Sequence, residues 1–137
     1  MNPTLKNVLA VIAGVLVGGA VNMGIIIISG SIIPLPEGVD PTNMESLEAN
    51  LHLFEARHFI LPFLAHALGT LVGAFLTVKI AANHKMSLAI AVGVFFLIGG
   101  IINALKLPAP VWFLVLDLVI AYLPMGWLGG KLAVRKN

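Results

Sequence analysis

The fold is decided by a stretch without Asp, Glu, Lys or Arg that reads HFILPFLAHALGTLVGAFLTV, residues 58–78, between Arg57 and Lys79. As a helix these 21 residues are about 30 Å long, which matches the hydrocarbon core of a bilayer. Lipid offers the backbone no hydrogen-bonding partners, so a segment of this kind satisfies its own backbone groups as an α-helix. The stretch therefore predicts one transmembrane helix.

Two further stretches show the same pattern, from Lys6 to Glu37 and from Lys85 to Lys106, and a third, from Lys106 to Lys131, is equally apolar apart from Asp117 inside it. The first is too long for the apolar part of a removable signal peptide, and no small-residue cleavage motif follows it. Four transmembrane helices are therefore predicted. They lie near residues 7–33, 58–80, 86–106 and 109–130.

Composition agrees with a membrane protein. Of the 137 residues, 59% are hydrophobic and 10% are charged, against roughly 25% charged residues in soluble domains. Four spans with short connections use nearly the whole chain, so we expect a single all-α membrane domain, a four-helix bundle, over residues 1–137. The absence of cysteine excludes disulfides and thiol redox chemistry.

The basic residues predict the orientation. Only Arg57 and Lys106 lie on the side of the long loop between the first two spans. The other six lie at the termini or in the loop between the second and third spans: Lys6, Lys79, Lys85, Lys131, Arg135 and Lys136. The positive-inside rule then places both termini in the cytoplasm and the protein in the inner (plasma) membrane. Trp112 and Trp127, near the two ends of the fourth span, fit interfacial positions.

Residues 34–57 form the sizeable segment outside the expected spans, and they carry five of the six acidic residues. The stretch from Thr42 to Glu45 has the spacing of a helix capping box, which predicts a helix that begins near Asn43. Apolar residues then recur at three- and four-residue intervals, at Met44, Leu47, Leu51 and Phe54. We expect an amphipathic helix that covers the outer ends of the spans as a lid.

Small residues predict how the spans pack. They recur every four residues on the first span (Ala10, Gly14, Gly18, then Asn22) and on the second (Ala65, Gly69, Gly73). Such rows let helix backbones approach closely. Packing within one chain and assembly into a homo-oligomer explain them equally well.

Polar residues inside the spans are the candidate binding residues. At helical rise, Asn22, His66 and Asp117 fall in one layer roughly 12–17 Å below the outer surface. A carboxylate at this depth costs several kcal/mol unless it is paired or neutralised, which makes Asp117 a functional candidate. His66 is its expected partner, as the only other ionisable side chain predicted in that layer. The alternative is a static hydrogen bond that joins two helices.

Glu55, His58 and Asn103 fall nearer the outer surface, where they would form the mouth of a polar funnel above that layer. Glu55 shares a face with His66 if the helix between them is continuous. Glu55 and His58 also have the spacing of ligands in dimetal carboxylate bundles, which makes them weak candidates for a metal site. Because the further carboxylates of such a site are missing, a surface ion pair or a helix-end hydrogen bond is the favoured role of the two. The residues identify no cofactor.

Enzymatic and nucleic-acid functions find little support. No serine is predicted to share a layer with His66 and Asp117, so no nucleophile, base and orienting group occur together. The sequence has neither a glycine-rich phosphate loop nor a basic stripe for nucleic acid. The expected partners are therefore the lipid bilayer, a second copy of the chain, and a small molecule or ion.

Five segments carry a resemblance over most of the chain: Asn22-Met-Gly24, Pro34-Leu-Pro-Glu-Gly38, Phe63-Leu-Ala-His-Ala-Leu-Gly-Thr70, Pro110-Val-Trp-Phe113 and Asp117-Leu118. With these segments the chain resembles uncharacterised small four-span membrane proteins of bacteria. The resemblance implies a four-span architecture and brings no activity. Small multidrug exporters are similar in size, but their essential carboxylate lies in the first span, where this chain has only Asn22.

Two functions fit these residues. A binding or transport module would receive a small solute, proton or ion from outside at the layer of Asn22, His66 and Asp117, and it requires a cavity that reaches this layer. A structural or accessory subunit would assemble through its glycine faces and dock through its outer helix. The depth of Asp117 favours the first function.

Overall fold

A computed structural model describes residues 1–135 of the chain. Within this part the protein has α-helices and 3-10 turns and no strands, and four of its helical segments are long and apolar enough to cross a membrane. The expected all-α class is confirmed. Lys136, one of the basic residues used above to orient the chain, lies outside the described residues.

Six α-helices follow one another in the described chain. They are α1 (Pro3–Ile32), α2 (Met44–Asn50), α3 (Ile60–Ile80), α4 (Lys85–Lys106), α5 (Val111–Ile120) and α6 (Leu123–Val134). Two 3-10 turns, at Leu51–Leu53 and Ala56–Phe59, connect α2 to α3. The end of the bundle that carries the N-terminus and the α3–α4 loop is called here the inner end, and the opposite end the outer end.

α1 begins at Pro3, four residues before the expected start of the first span at residue 7. Asn2 caps the helix, because its side-chain oxygen accepts a hydrogen bond from the Thr4 N–H at 2.8 Å. Pro3 suits the first helical turn, where no backbone N–H is needed. The cap, rather than the charge of Lys6, therefore sets the beginning of this helix.

α3 lies at the centre of the bundle and packs against α1, α4 and α6. Its contact with α1 brings the two backbones together. A Cβ atom added to Gly69 would lie 2.8 Å from the Gly18 carbonyl oxygen, and one added to Gly73 would lie 2.7 Å from that of Gly14. The small-residue rows of the first two spans thus pack on each other within one chain.

The helices of the inner half of the bundle pack closely on one another. A Cβ atom at Gly126 would lie 3.1 Å from the Ala89 carbonyl oxygen, and one at Gly130 would lie 2.7 Å from the Ala89 Cβ. α6 therefore packs closely on α4, around a core of Ala74, Val78, Ala89, Val92 and Ala133. At the inner end, the Asn7 side-chain amide donates to the Asn83 side-chain oxygen at 2.7 Å and ties α1 to the α3–α4 loop.

The fourth expected span, residues 109–130, is not one continuous helix. α5 ends at Ile120 and α6 begins at Leu123, with Ala121 and Tyr122 between them. Pro124 accounts for the break, because it has no N–H to donate to the Ile120 carbonyl and its ring clashes with that group in a helix. α6 packs closely on α3 and α4, whereas α5 makes few contacts with its neighbours.

Residues 34–57, called here the outer segment, contain the expected helix, but the side chain that caps it is not the predicted one. The Asn43 side-chain oxygen accepts from the Ser46 N–H at 3.1 Å, so Asn43 is the N-cap of α2. The Thr42 hydroxyl instead donates to the Asp40 carboxylate at 2.7 Å. The capping box predicted from Thr42 to Glu45 therefore does not form, because Asp40 engages Thr42.

Candidate functional site

The outer half of the bundle encloses a cavity of about 350 Å³. Its walls come from α1, α3, α4 and α5, and α5 makes few contacts with the other helices. The apolar residues predicted to face the spans all line it: Met44, Leu47, Leu51 and Phe54. The amphipathic segment around α2 is therefore a cover over this outer cavity.

A hydrogen-bonded cluster of Asp117, His66 and Tyr122 lies at the deep end of the outer cavity. Asp117 Oδ1 lies 2.7 Å from His66 Nδ1, and the Tyr122 hydroxyl donates to Asp117 Oδ2 at 3.1 Å. The Tyr122 ring also stacks on the His66 ring, with 5.9 Å between centroids. Only 6% of the Asp117 side chain and 19% of the His66 side chain are exposed. Both carboxylate oxygens thus have a partner, as a buried charge requires.

The break between α5 and α6 makes this cluster possible. In a continuous helix, residues five apart point about 140° away from each other, so Tyr122 could not reach Asp117. The irregular backbone after Ile120 turns Tyr122 back towards the carboxylate. Gly100 on α4 leaves room for the ring, since a Cβ atom there would lie 2.6 Å from it.

Tyr122 was missed by the sequence analysis, which took His66 to be the only ionisable partner of Asp117 in its layer. The expected continuous span placed Tyr122 on another face of the helix. Pro124, two residues later, was the available signal, because a proline inside a helical stretch breaks or bends the helix just before it.

Asn22 and Asn103 also meet at this site. A second cavity, of about 290 Å³, adjoins the first, and the two share Asn22, His66, Gly100 and Asn103 as lining residues. The side-chain oxygen of Asn22 is buried and has no hydrogen-bond partner within residues 1–135. A buried polar atom without a partner costs about 1–3 kcal/mol, so Asn22 favours a partner supplied from the cavities.

Glu55 and His58 lie outside both cavities. His58 is buried: its Nδ1 accepts from the Glu55 N–H at 2.8 Å and its Nε2 donates to the Pro34 carbonyl at 3.1 Å. Glu55 is exposed and pairs with Arg57 at 3.3 Å. The 3-10 turn over Ala56–Phe59 precedes α3, so Glu55 is not on the helical face of His66. The two residues therefore fix the entry to α3 and do not form the mouth of a funnel.

Metal binding gains no support from these positions. Both ring nitrogens of His58 are engaged by backbone groups, so neither has a free lone pair for a metal. In the described part of the chain, no three His, Asp or Glu side chains lie close enough together to hold a metal ion. The spacing of Glu55 and His58 instead builds a capping box at the start of the 3-10 turn.

Comparison of the chain with protein-family models, with curated proteins and with solved structures gives no match. A proposal for the function therefore depends on the chemistry and shape of the outer cavity.

Proposed function

We propose that the protein is a membrane-embedded binding module that receives a small solute, proton or ion in its outer cavity, at the cluster of Asp117, His66 and Tyr122. Passage through the membrane would be a further step of the same function. The observation that carries the proposal is the cavity of about 350 Å³ that ends at a buried carboxylate. A hydrogen bond that only joins two helices needs no such space around it.

A membrane location is supported by the apolar residues that the bundle leaves outside. Four helical segments of 22–30 residues are long enough to cross a hydrocarbon core of about 30 Å. Large apolar side chains remain exposed along them, for example Leu16 and Ile27 on α1 and Val119 on α5. A continuous apolar exterior of this kind is stable against lipid chains. With the basic residues mostly at the inner end, the cavity would open to the outside of the inner membrane.

Native mass spectrometry of the full chain in a mild detergent tests the binding role. The expected result is a non-lipid mass bound to the natural protein and lost in Asp117→Asn, which keeps the shape of the side chain and removes its charge. Glu45→Gln, a change in the exposed first turn of α2, is the matched control and should keep the bound mass. Identical lipid-only spectra for all three proteins would contradict the binding of a solute or ion.

A structural or accessory role is the second candidate, supported by glycine positions on α1 that no other part of the described chain covers. Nothing lies within 4 Å of a Cβ atom built at Gly19, Gly24 or Gly30, so a partner helix could approach there. Gly69 and Gly73 already pack against α1, and bulky substitutions there would test folding rather than assembly. Loss of an oligomer in Gly24→Leu but not in Asp117→Asn would favour this role.

A further inference from the structure

We infer that the outer cavity takes a small organic cation, a protonated amine with an apolar body, and that the cation enters in exchange for the proton held by His66. The inference rests on the proposed binding role and adds the chemical class of the ligand. It follows from three properties of the cavity: its charge, its free hydrogen-bond acceptors and its apolar walls.

The cavity has one anionic side chain and no Lys or Arg among its described lining residues. Its polar lining side chains are Asn22, Ser29, Thr42, His66, Asn103 and Asp117. With a neutral His66, the site carries the single negative charge of Asp117. A monocation would balance that charge, whereas a carboxylate or phosphate ligand would be repelled by it in a medium of low dielectric constant.

Hydrogen-bond acceptors also predominate at the deep end. The Asp117 carboxylate has lone pairs beyond those used by His66 and Tyr122, and the Asn22 side-chain oxygen has no partner. Within residues 1–135, the His66 ring is hydrogen-bonded through Nδ1 alone, so Nε2 is free to hold or release a proton. An ammonium group brings three donors and no acceptor, which complements this set.

The walls above the cluster suit an apolar body. Leu51, Phe59 and Phe113 form a buried cluster that lines the cavity, with Phe54 packed against it. Aromatic faces attract cations as well as apolar groups. The volume of about 350 Å³ equals the liquid volume of about a dozen water molecules. A single aromatic ring with a short aminoalkyl chain fits within this volume.

Binding of the amine is coupled to release of a proton because the site keeps its net charge. Without ligand, a protonated His66 beside the Asp117 carboxylate makes the pair neutral. When the ammonium donates its N–H groups to Asp117, the His66 Nε2–H bond breaks and that proton leaves to solvent, so the site stays neutral and no other bond changes. Neutrality is favoured because an extra buried charge is costly.

Within residues 1–135, the elements around the outer cavity contribute one titratable group besides His66 and Asp117, the hydroxyl of Tyr122. α1 and α4 contribute Asn22 and Asn103, and the outer segment contributes Thr42 as its polar lining residue. Tyr122, in the break before α6, is the remaining ionisable contact, and its hydroxyl donates to Asp117 throughout. The proton exchange is therefore assigned to His66.

Tryptophan fluorescence provides the binding assay. The Trp112 ring lies 5.7 Å from that of Phe59 and 6.0 Å from that of Phe113, both of which line the cavity. Trp127→Phe removes the other tryptophan of the chain, near the opposite end of the fourth span. The full chain with this change, in nanodiscs, would be titrated with benzylamine, benzyl alcohol and benzoate, which each carry one phenyl ring and differ in charge. We expect saturable binding of benzylamine, with at least about tenfold weaker responses to the other two.

Calorimetry in two buffers of different ionisation enthalpy tests the exchange. We expect benzylamine binding to release up to one proton in the natural protein, and none in His66→Asn, whose side-chain N–H can still donate to Asp117. Asp117→Asn should weaken benzylamine binding at least about tenfold. Equal proton release by the natural protein and His66→Asn would overturn the exchange.

The outcomes separate this inference from the proposed function. Equal binding of benzylamine and benzyl alcohol, both abolished by filling the outer cavity with Ala104→Trp at one of its lining residues, would overturn the cation preference and leave a binding cavity in place. Failure of all three compounds to bind would overturn the inference, while a non-lipid mass lost in Asp117→Asn would still support the binding role. Because the three probes are compared on one unaltered site, the inference stays testable if a variant fails to fold.

Discussion

The Asp117 carboxylate has two hydrogen-bond partners, which come from different parts of the fold. His66 comes from α3 and joins two helices, whereas Tyr122 comes from the break that follows α5 in the same span. The buried carboxylate therefore holds the broken span in shape and fastens it to the centre of the bundle. Polar contacts between membrane helices are commonly worth less than 2 kcal/mol each, so the pair can also rearrange.

Replacing Tyr122 by Phe should lower the free energy of unfolding by about 0.6–1.7 kcal/mol, because one oxygen of the buried carboxylate loses its donor. Helicity measured by circular dichroism during unfolding in mixed micelles would report the change. Thr70→Val is the matched control, since the Thr70 hydroxyl only bonds the His66 carbonyl of its own helix. Equal effects of the two variants would show that the hydroxyl of Tyr122 has no special role.

The outer segment contains Asp40, whose carboxylate accepts two hydrogen bonds. The Thr42 hydroxyl and backbone N–H both donate to the Asp40 carboxylate, at 2.7 and 2.9 Å, and hold the pKa of that carboxyl below its ordinary value. A lowered pKa in the folded state means that these contacts stabilise the loop above the usual aspartate range and are lost as pH falls through the lowered pKa.

Thr42→Val should therefore raise the pKa of Asp40 towards its ordinary value, because the hydroxyl donor is the larger cause of the shift. Carboxyl carbon NMR during a pH titration would measure it, and the spectrum is simple because the chain has only two aspartates, Asp40 and Asp117. Thr4→Val, at the opposite end of the bundle, is the control. An unchanged pKa of Asp40 in Thr42→Val would contradict the assignment.

At the scale of elements, the sequence predicted the helices far better than their interruptions. Long apolar gaps between charges mark helices that cross a bilayer, and the physical requirement for them is strict. Tyr122 and Pro124 leave hydropathy high, so the break in the fourth span has no charge or loop signature. Glu55 was misplaced because a helical projection assumes a regular helix, and the 3-10 turn before α3 is irregular.

Glycine positions divide into two classes that substitution should separate. Gly69→Ala should cost about 1–3 kcal/mol of stability, because its Cβ would press on the Gly18 carbonyl and force α1 and α3 apart. Gly99→Ala meets no atom within 4 Å and should be neutral or stabilising by up to about 1 kcal/mol, since alanine favours helix. Thermal or detergent-induced unfolding of the two variants provides the comparison. Similar stabilities would contradict the close packing of α1 on α3.

At the scale of the whole molecule, the two halves differ in construction. The inner half is closed by glycine and alanine contacts, and the outer half contains the cavities under the cover formed by α2. Composition and periodicity predicted the bundle and the deep polar layer of Asn22, His66 and Asp117. They led to a polar funnel only as part of the binding hypothesis, because the walls and volume of the outer cavity depend on how all the helices pack together.

Single-cysteine labelling would test the orientation, and the natural chain is well suited to it because it contains no cysteine. A membrane-impermeant maleimide added to intact cells should label Glu48→Cys on α2 and should label His84→Cys in the α3–α4 loop only after permeabilisation. Both positions are exposed in the structure, so equal reactivity in detergent is the control. The reverse pattern would place the outer cavity on the cytoplasmic side.

α1 has 30 residues and α4 has 22, so the two helices are about 45 Å and 33 Å long. α1 is therefore longer than a hydrocarbon core of about 30 Å by a wide margin, whereas α4 is not. A transmembrane helix that is longer than the core can accommodate the difference by tilting. The outer part of α1 forms a wall of the outer cavity, through Asn22, Met23 and Ile26. In a bilayer, lipid acyl-chain length would act on the tilt of α1 and thereby on the width of the cavity, which would make the bilayer itself an effector of whatever binds there.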